Sequence, residues 1–229
     1  MLNDTKTEVL HFSSRFIKNP SHISTIQVGD TKVDVAPEAR NLGALMDRHI
    51  SLQSHVSKVC RSASLGISKI GRLRKYIDRP TAERLVHAFV TSHLDANKVF
   101  SVAYQFCLVK LQRVQNSAAR VVLGVFGRDV NLNALRKNEF HWLLVKDRIV
   151  FKFLMLTYKS LNVLSPAYIR DLLAAYTPGR SLRSASQALL VVPKTVSTKN
   201  YGDRAFSVAA PKLWNDLPHD IKTAKSRHI

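Results

Sequence analysis

The chain has 229 residues, 45% of them apolar, enough for one large domain or two small ones with a real core. Lys and Arg number 35 against 16 Asp and Glu, a formal net charge of +19. Such an excess repels itself in a compact state, so a polyanion is the expected partner: nucleic acid first, with an anionic membrane surface or a ribosome-like assembly as alternatives, and a plain soluble basic protein as the simplest reading.

Within residues 1–45, TEVLHF carries β-favouring residues in partial alternation, and STIQVGDTKVDV has two short alternating runs around Gly29-Asp30, the pattern of a hairpin. This β region is too short to be stable without a face to pack on. From Ser51 the period becomes helical. Leu52, Val56, Val59, Ala63, Ile67 and Ile70 form one apolar stripe. Lys58, Arg61, Lys69 and Arg72 fall within about 80° of each other on the opposite face, counting about 100° per residue. No acidic residue occurs between Ser51 and Ile77, whereas solvated helices usually mix both signs. The basic face is therefore either a solvated surface or a phosphate-tracking one, and the missing acids favour the second.

DRPTAERLVHAFVTSHLD reads as a helix start, with Asp78 as cap, Pro80 in the first turn and Glu83 nearby. His87 and His93 stand six apart, off the shared face that a metal pair needs, and are read as structural or exposed. AYQFCLVKLQRVQNSAARVVLGVF is the next long helix. Tyr104, Leu108, Leu111, Gln115, Ala118, Val122 and Val125 predict its packed face, Arg113, Asn116 and Arg120 share the far side, and Gly124 and Gly127 close it.

KDRIVFKFLMLTYKSL is apolar on nearly every side and predicts a central buried helix. Pro166 opens PAYIRDLLAAY, with Tyr168, Ile169, Leu172, Leu173 and Tyr176 expected to face inward. RSLRSAS reads as a basic loop and LLVVPK as a short strand. RAFSVAAPKLWNDLP shows no helical or strand period. Phe206 and Trp214 are large anchors there, Pro211 and Pro218 are expected to fix an irregular path, and the segment is expected to pack back over the helices. The fold class is mainly α, with a small N-terminal β hairpin or patch and an irregular C-terminal tail.

Little in the chain does chemistry. Two-metal polymerases and nucleases need clustered carboxylates, and the sequence has no Asp-Asp pair, no DxD and no DxE. It has no serine elbow, P-loop or HExxH motif. Cys60 and Cys107 stand far apart with no zinc-ligand spacing, and a disulfide is disfavoured in a basic chain without an export signal. The opening MLNDTKTEVLHF is not a signal peptide, so an intracellular protein is expected. The longest apolar stretch, Ile149 to Tyr158, contains Lys152 and is too short to span a membrane. No cofactor and no metal are expected.

Five segments occur in a fixed order: LQRVQNSAAR, HWLLVKDRIVFKFLMLTYKSLN, SPAYIRDLL, PGRSLRS and GDRAFSVAAPKLWNDLP. That series resembles the C-terminal part of the reverse transcriptase of non-LTR (LINE-type, jockey-like) retrotransposons. NDTKTEVLHF and RNLGALMDRHISLQSHVSKV are similar to the segment just after the catalytic palm of those proteins. The resemblance implies late palm strands and a primer-grip-like hairpin in 1–45, a helical thumb in 46–128 and a C-terminal helical region in 129–229. It places the family's catalytic aspartates upstream of residue 1, so the chain alone is expected to be inactive. Lys6 falls where the family has a late-palm lysine near the nucleotide site. Where the family has an LDYCN-like segment, this chain reads LDANKVF and lacks the Cys and the aromatic. The resemblance thus implies a fragment of an RNA-directed DNA polymerase that grips template–primer nucleic acid, RNA or RNA–DNA duplex, through Lys58, Arg61, Lys69, Arg72, Arg113 and Arg120. Alternatives are an inactive translated relic and a host-used basic nucleic-acid-binding protein.

Overall fold

The computed structural model describes residues 7–13, 23–95, 105–125, 140, 142–178, 187–194 and 202–223. The readings on Lys6, residues 96–100, Tyr104, Gly127 and the loop 180–186 lie outside them. The protein is mainly helical, with two β hairpins near its start. It divides into two compact units, Met1–Val145 and Lys146–Ile229.

The first unit opens with strands β1 (Thr25–Val28) and β2 (Thr31–Asp34), paired antiparallel with Val28 opposite Thr31. The expected hairpin is therefore present. Gly29 takes the first turn position at φ 58°, where a II′ turn accepts glycine. From TEVLHF only Val9 pairs, through a parallel bridge to Val35. A second hairpin, β3 (Glu38–Asn41) and β4 (Ala44–Asp47), turns at Leu42-Gly43, both at positive φ. Leu42 is 93% exposed, as a turn tip is.

Helix α1 runs Gln53–Leu73 and buries Val56, Ala63, Ile67 and Ile70, the expected stripe. After a short 3-10 turn, Asp78 caps α2 (Arg79–Val86) by accepting the Thr81 N–H at 3.0 Å. The chain then passes through a π-helical turn, His87–Thr91, into α3 (Ser92–Asp95). The buried residues Ala82, Val86, Val90 and Leu94 recur every fourth position. A straight α-helix drifts about 40° over each such step, and a wider π turn recovers part of that drift.

Helix α4 (Gln105–Leu123) packs against α1 and α2 and buries Leu111, Gln115, Ala118 and Val122, as its spacing predicts. Lys110 reaches Ser57 near the start of α1, and Arg74 reaches Val121 and Val122 past its end, so α1 and α4 run in the same direction. Gly124, at φ 70°, closes α4 with Gly124 N–H on Val121 O and Val125 N–H on Arg120 O, a Schellman motif. The QRVQN run has a definite task. Gln112 accepts the Val145 N–H at 3.0 Å, and Gln115 donates to Leu143 O at 2.9 Å, which ties down residues 143–145.

The second unit is built on α5 (Val145–Leu161) and α7 (Phe206–Asn215), with the short helices α6 (Ala167–Arg170) and α8 (His219–Lys222). Here the structure corrects three expectations. Helix α5 is not buried all round. Ile149, Phe153, Thr157 and Ser160 line its buried face, while Phe151 and Met155 are exposed. Thr157 and Ser160 can sit in the core because each hydroxyl donates to the carbonyl four residues earlier. Tyr168, Leu172 and Tyr176 do not face inward but are exposed, since only one helical turn forms after Pro166. LLVVPK contributes a single antiparallel bridge, Ala175 to Leu190, rather than a strand.

Residues 204–218 were expected to follow an irregular path fixed by Pro211 and Pro218, but Phe206–Asn215 form a helix that runs through Pro211. Phe206 lies 5.8 Å from the Phe153 ring, and Val208, Ala209, Ala210, Pro211 and Trp214 are buried. A proline inside a helix costs roughly 3 kcal/mol, and burial of these side chains offsets it. Trp214 Nε1 donates to Ala188 O at 2.9 Å. The Asn215 amide pairs with Leu190 twice, donating to its carbonyl and accepting its N–H, each at 2.9 Å. The WN dipeptide therefore holds the backbone of 188–190 as a neighbouring strand would.

Candidate nucleic-acid interface

The basic face is presented by α1, and its geometry depends on how that helix is held at both ends. The residue before it, Leu52, is left-handed at φ 56° and offers no side-chain cap. Asp47, at the end of β4, supplies the cap instead. Its carboxylate accepts the Leu52 N–H at 2.9 Å and the His49 N–H at 3.3 Å. Burial alone raises the Asp47 pKa, but hydrogen bonds from Leu52, Ser51 and His49 outweigh it and hold the carboxyl below its ordinary value. At the other end Arg74 Nη1 donates to Ile77 O at 2.9 Å, while Nε and Nη2 reach the carbonyls of Val121 and Val122. One guanidinium thus braces the turn after α1 and bonds carbonyls near the end of α4.

Between these ends Lys58, Arg61, Lys69 and Arg72 are all exposed, on the side of α1 opposite its buried stripe. The structure brings these four together on one helix face. Arg113 is exposed on α4. Arg120, also on α4, is half-buried, with its Nε enclosed and unpartnered among the described residues. His55 lies half-buried at the start of α1, with Nδ1 3.3 Å from the Leu45 N–H. Burial, then the charges of Arg40 and Lys58, push its pKa below the ordinary histidine value. That shift favours the neutral imidazole, and the cationic character of the face rests on Lys and Arg.

Sequence reasoning missed an apolar groove beside these cations. It lies between α1 and the π turn, has a volume of about 470 Å³, and is lined by Leu65, Leu73, Leu85 and Phe89 with Lys69 at its edge. Leu65 is 60% exposed and Phe89 55%. Gly66 lets the two walls meet: a Cβ there would lie 3.1 Å from the Phe89 carbonyl oxygen. Two signals were available. Leu65 falls in the same angular sector as the four cations, and the four-residue spacing of Ala82, Val86, Val90 and Leu94 marks the π turn.

His87 and His93 are both exposed, as expected. His87 packs edge-on to Trp142 at 5.4 Å, and Trp142 stacks on Phe140 at 4.8 Å. Among the described residues, no group of three His, Cys, Asp or Glu could hold a metal ion, and no helix is long and apolar enough to cross a membrane. No family model, no curated protein and no solved structure matches this chain.

Proposed function

We propose that the chain is the thumb and C-terminal region of a non-LTR retrotransposon reverse transcriptase, and that it grips the sugar-phosphate backbone of the template–primer duplex. The observation that carries this reading is the acid-free face of α1, with four exposed cations set against a buried stripe. Lys58 and Arg61 form one pair, and Lys69 and Arg72 another. At 1.5 Å per residue the pairs are centred about 16 Å apart along the helix axis. That span exceeds the roughly 6 Å minor groove of B-DNA and suits phosphates flanking a wider groove, either the roughly 12 Å major groove of B-DNA or the minor groove of A-form helices. The ordered motif series from LQRVQNSAAR to GDRAFSVAAPKLWNDLP supports the family reading. In this role the chain supplies backbone contacts and leaves chemistry to the palm.

The test is equilibrium binding to an RNA–DNA hybrid and to a DNA duplex of the same sequence at matched salt. Tighter binding to the hybrid is expected. Equal binding to both would point to a general basic nucleic-acid-binding protein, and no salt-sensitive binding to either would overturn the nucleic-acid reading itself.

A further inference from the structure

We infer that the groove between α1 and the π turn takes an unpaired nucleobase, so that the basic face binds single-stranded or bulged nucleic acid as well as paired duplex. The inference rests on the nucleic-acid reading of α1 and adds a second ligand element to the same surface. An aromatic ring beside a phosphate-binding cation is the arrangement by which proteins hold splayed-out bases.

Phe89 sits on the groove wall, more than half exposed, and its ring contacts no other aromatic ring among the described residues. Leu65 and Leu73 offer apolar surface on the facing wall, and both are at least half exposed. The volume, about 470 Å³, lies within the usual range of roughly 300–1,000 Å³ for small-molecule sites. Ser62 and His93 give the groove hydrogen-bonding groups for a base edge.

Charge decides among occupants. Lys69 lines the groove, no acidic residue does, and Leu65 lies between Arg61 and Arg72 on the same helix face. A base in the groove would carry its 5′ and 3′ phosphates toward those cations. A second copy of this chain, with its net charge of +19, meets repulsion at the same rim.

The gap itself is built in. Gly66 brings the π turn close to α1, and the π turn swings Phe89 outward while Val90 and Thr91 stay buried. Without that bulge the outward position would drift around the helix and the aromatic wall would leave the cations.

The experiment compares a fully paired RNA duplex with the same duplex carrying one bulged purine, using the full chain and Phe89→Ala, Phe89→Leu and Phe89→Trp variants. The wild type is expected to bind the bulged form more tightly. Phe89→Ala should lower that affinity about 5- to 150-fold, the range of a lost base–aromatic stack, and leave the paired duplex unchanged. Phe89→Leu should not restore it, because a leucine has no π-face. Phe89→Trp should, with quenching of the emission from the introduced indole. Circular dichroism confirms folding, which an exposed position tolerates.

Equal loss on both RNAs in Phe89→Ala, or no preference for the bulge in the wild type, would overturn the inference while leaving the duplex reading intact. An acidic amphipathic peptide whose binding needs Phe89, with bulged-RNA binding unaffected, would assign the groove to a protein partner and overturn it too. If replacing Lys58, Arg61, Lys69 and Arg72 by Ala changes affinity for neither RNA, the underlying nucleic-acid reading fails first.

Discussion

Asp47 holds the residues that lead into α1. The residue next to the helix, Leu52, has no polar side chain and a left-handed backbone, so the cap is supplied from the preceding strand. A carboxylate at that end also meets the positive pole of the helix dipole. The pKa of Asp47 is lower folded than its ordinary 3.8. The stabilisation is therefore complete above that value and is lost as pH falls through the folded pKa. Asp47→Asn should be less stable than wild type at pH 7. It should also lose less stability than wild type between pH 7 and pH 3. Urea unfolding at both pH values measures this, and parallel acid losses in the two proteins would contradict the assignment. None of this was legible in the sequence, where Asp47 sits five residues ahead of Leu52 and matches no capping pattern. Arg74 was equally hidden. Nothing in its sequence neighbourhood, GRLRKY, marks it as bonding carbonyls on α4.

At the scale of the element, α1 contains two glycines with different neighbours. A Cβ on Gly71 would meet Val121 Cγ2 at 4.0 Å, ordinary contact, whereas on Gly66 it would lie 3.1 Å from the Phe89 carbonyl oxygen. Glycine in a helix interior costs about 1 kcal/mol relative to alanine. Gly71→Ala should thus gain stability of that order. Gly66→Ala should gain none or lose stability, because backbone of the π turn must move. Thermal unfolding of the two variants decides, and equal gains would deny the close approach. The stripe of α1 and the Gly29-Asp30 hairpin were readable because spacing fixes which side chains share a face. The exposed side of α5 was not. Phe151 and Met155 are as apolar as its core residues, and periodicity cannot say which apolar side is covered when Thr157 and Ser160 satisfy their own hydroxyls inside. The π turn was readable in principle from its fourfold spacing. The helix through Pro211 was not, because its stability comes from residues remote in sequence.

Across the whole molecule, the two units make separable predictions. In the second, Asn215→Ala would leave both the N–H and the carbonyl of Leu190 without the amide that pairs them. A loss of about 1–3 kcal/mol is expected, with faster amide exchange at 187–191 and unchanged exchange in α1. Unchanged protection at 187–191 would show that Asn215 does not hold that segment. In the first unit the central claim is that the α1 face meets phosphates. Each phosphate contact contributes roughly 0.9 to the slope of log K against log salt. Lys58, Arg61, Lys69 and Arg72 are exposed, and alanine at all four keeps the helix, since it is the best helix former. The most direct measurement is a salt titration of binding to an RNA–DNA hybrid, wild type against that fourfold variant, with circular dichroism showing both folded. The slope is expected to be shallower by ~2 to 4 in the variant; an unchanged slope would contradict the phosphate contacts and leave the four cations as a solvated face.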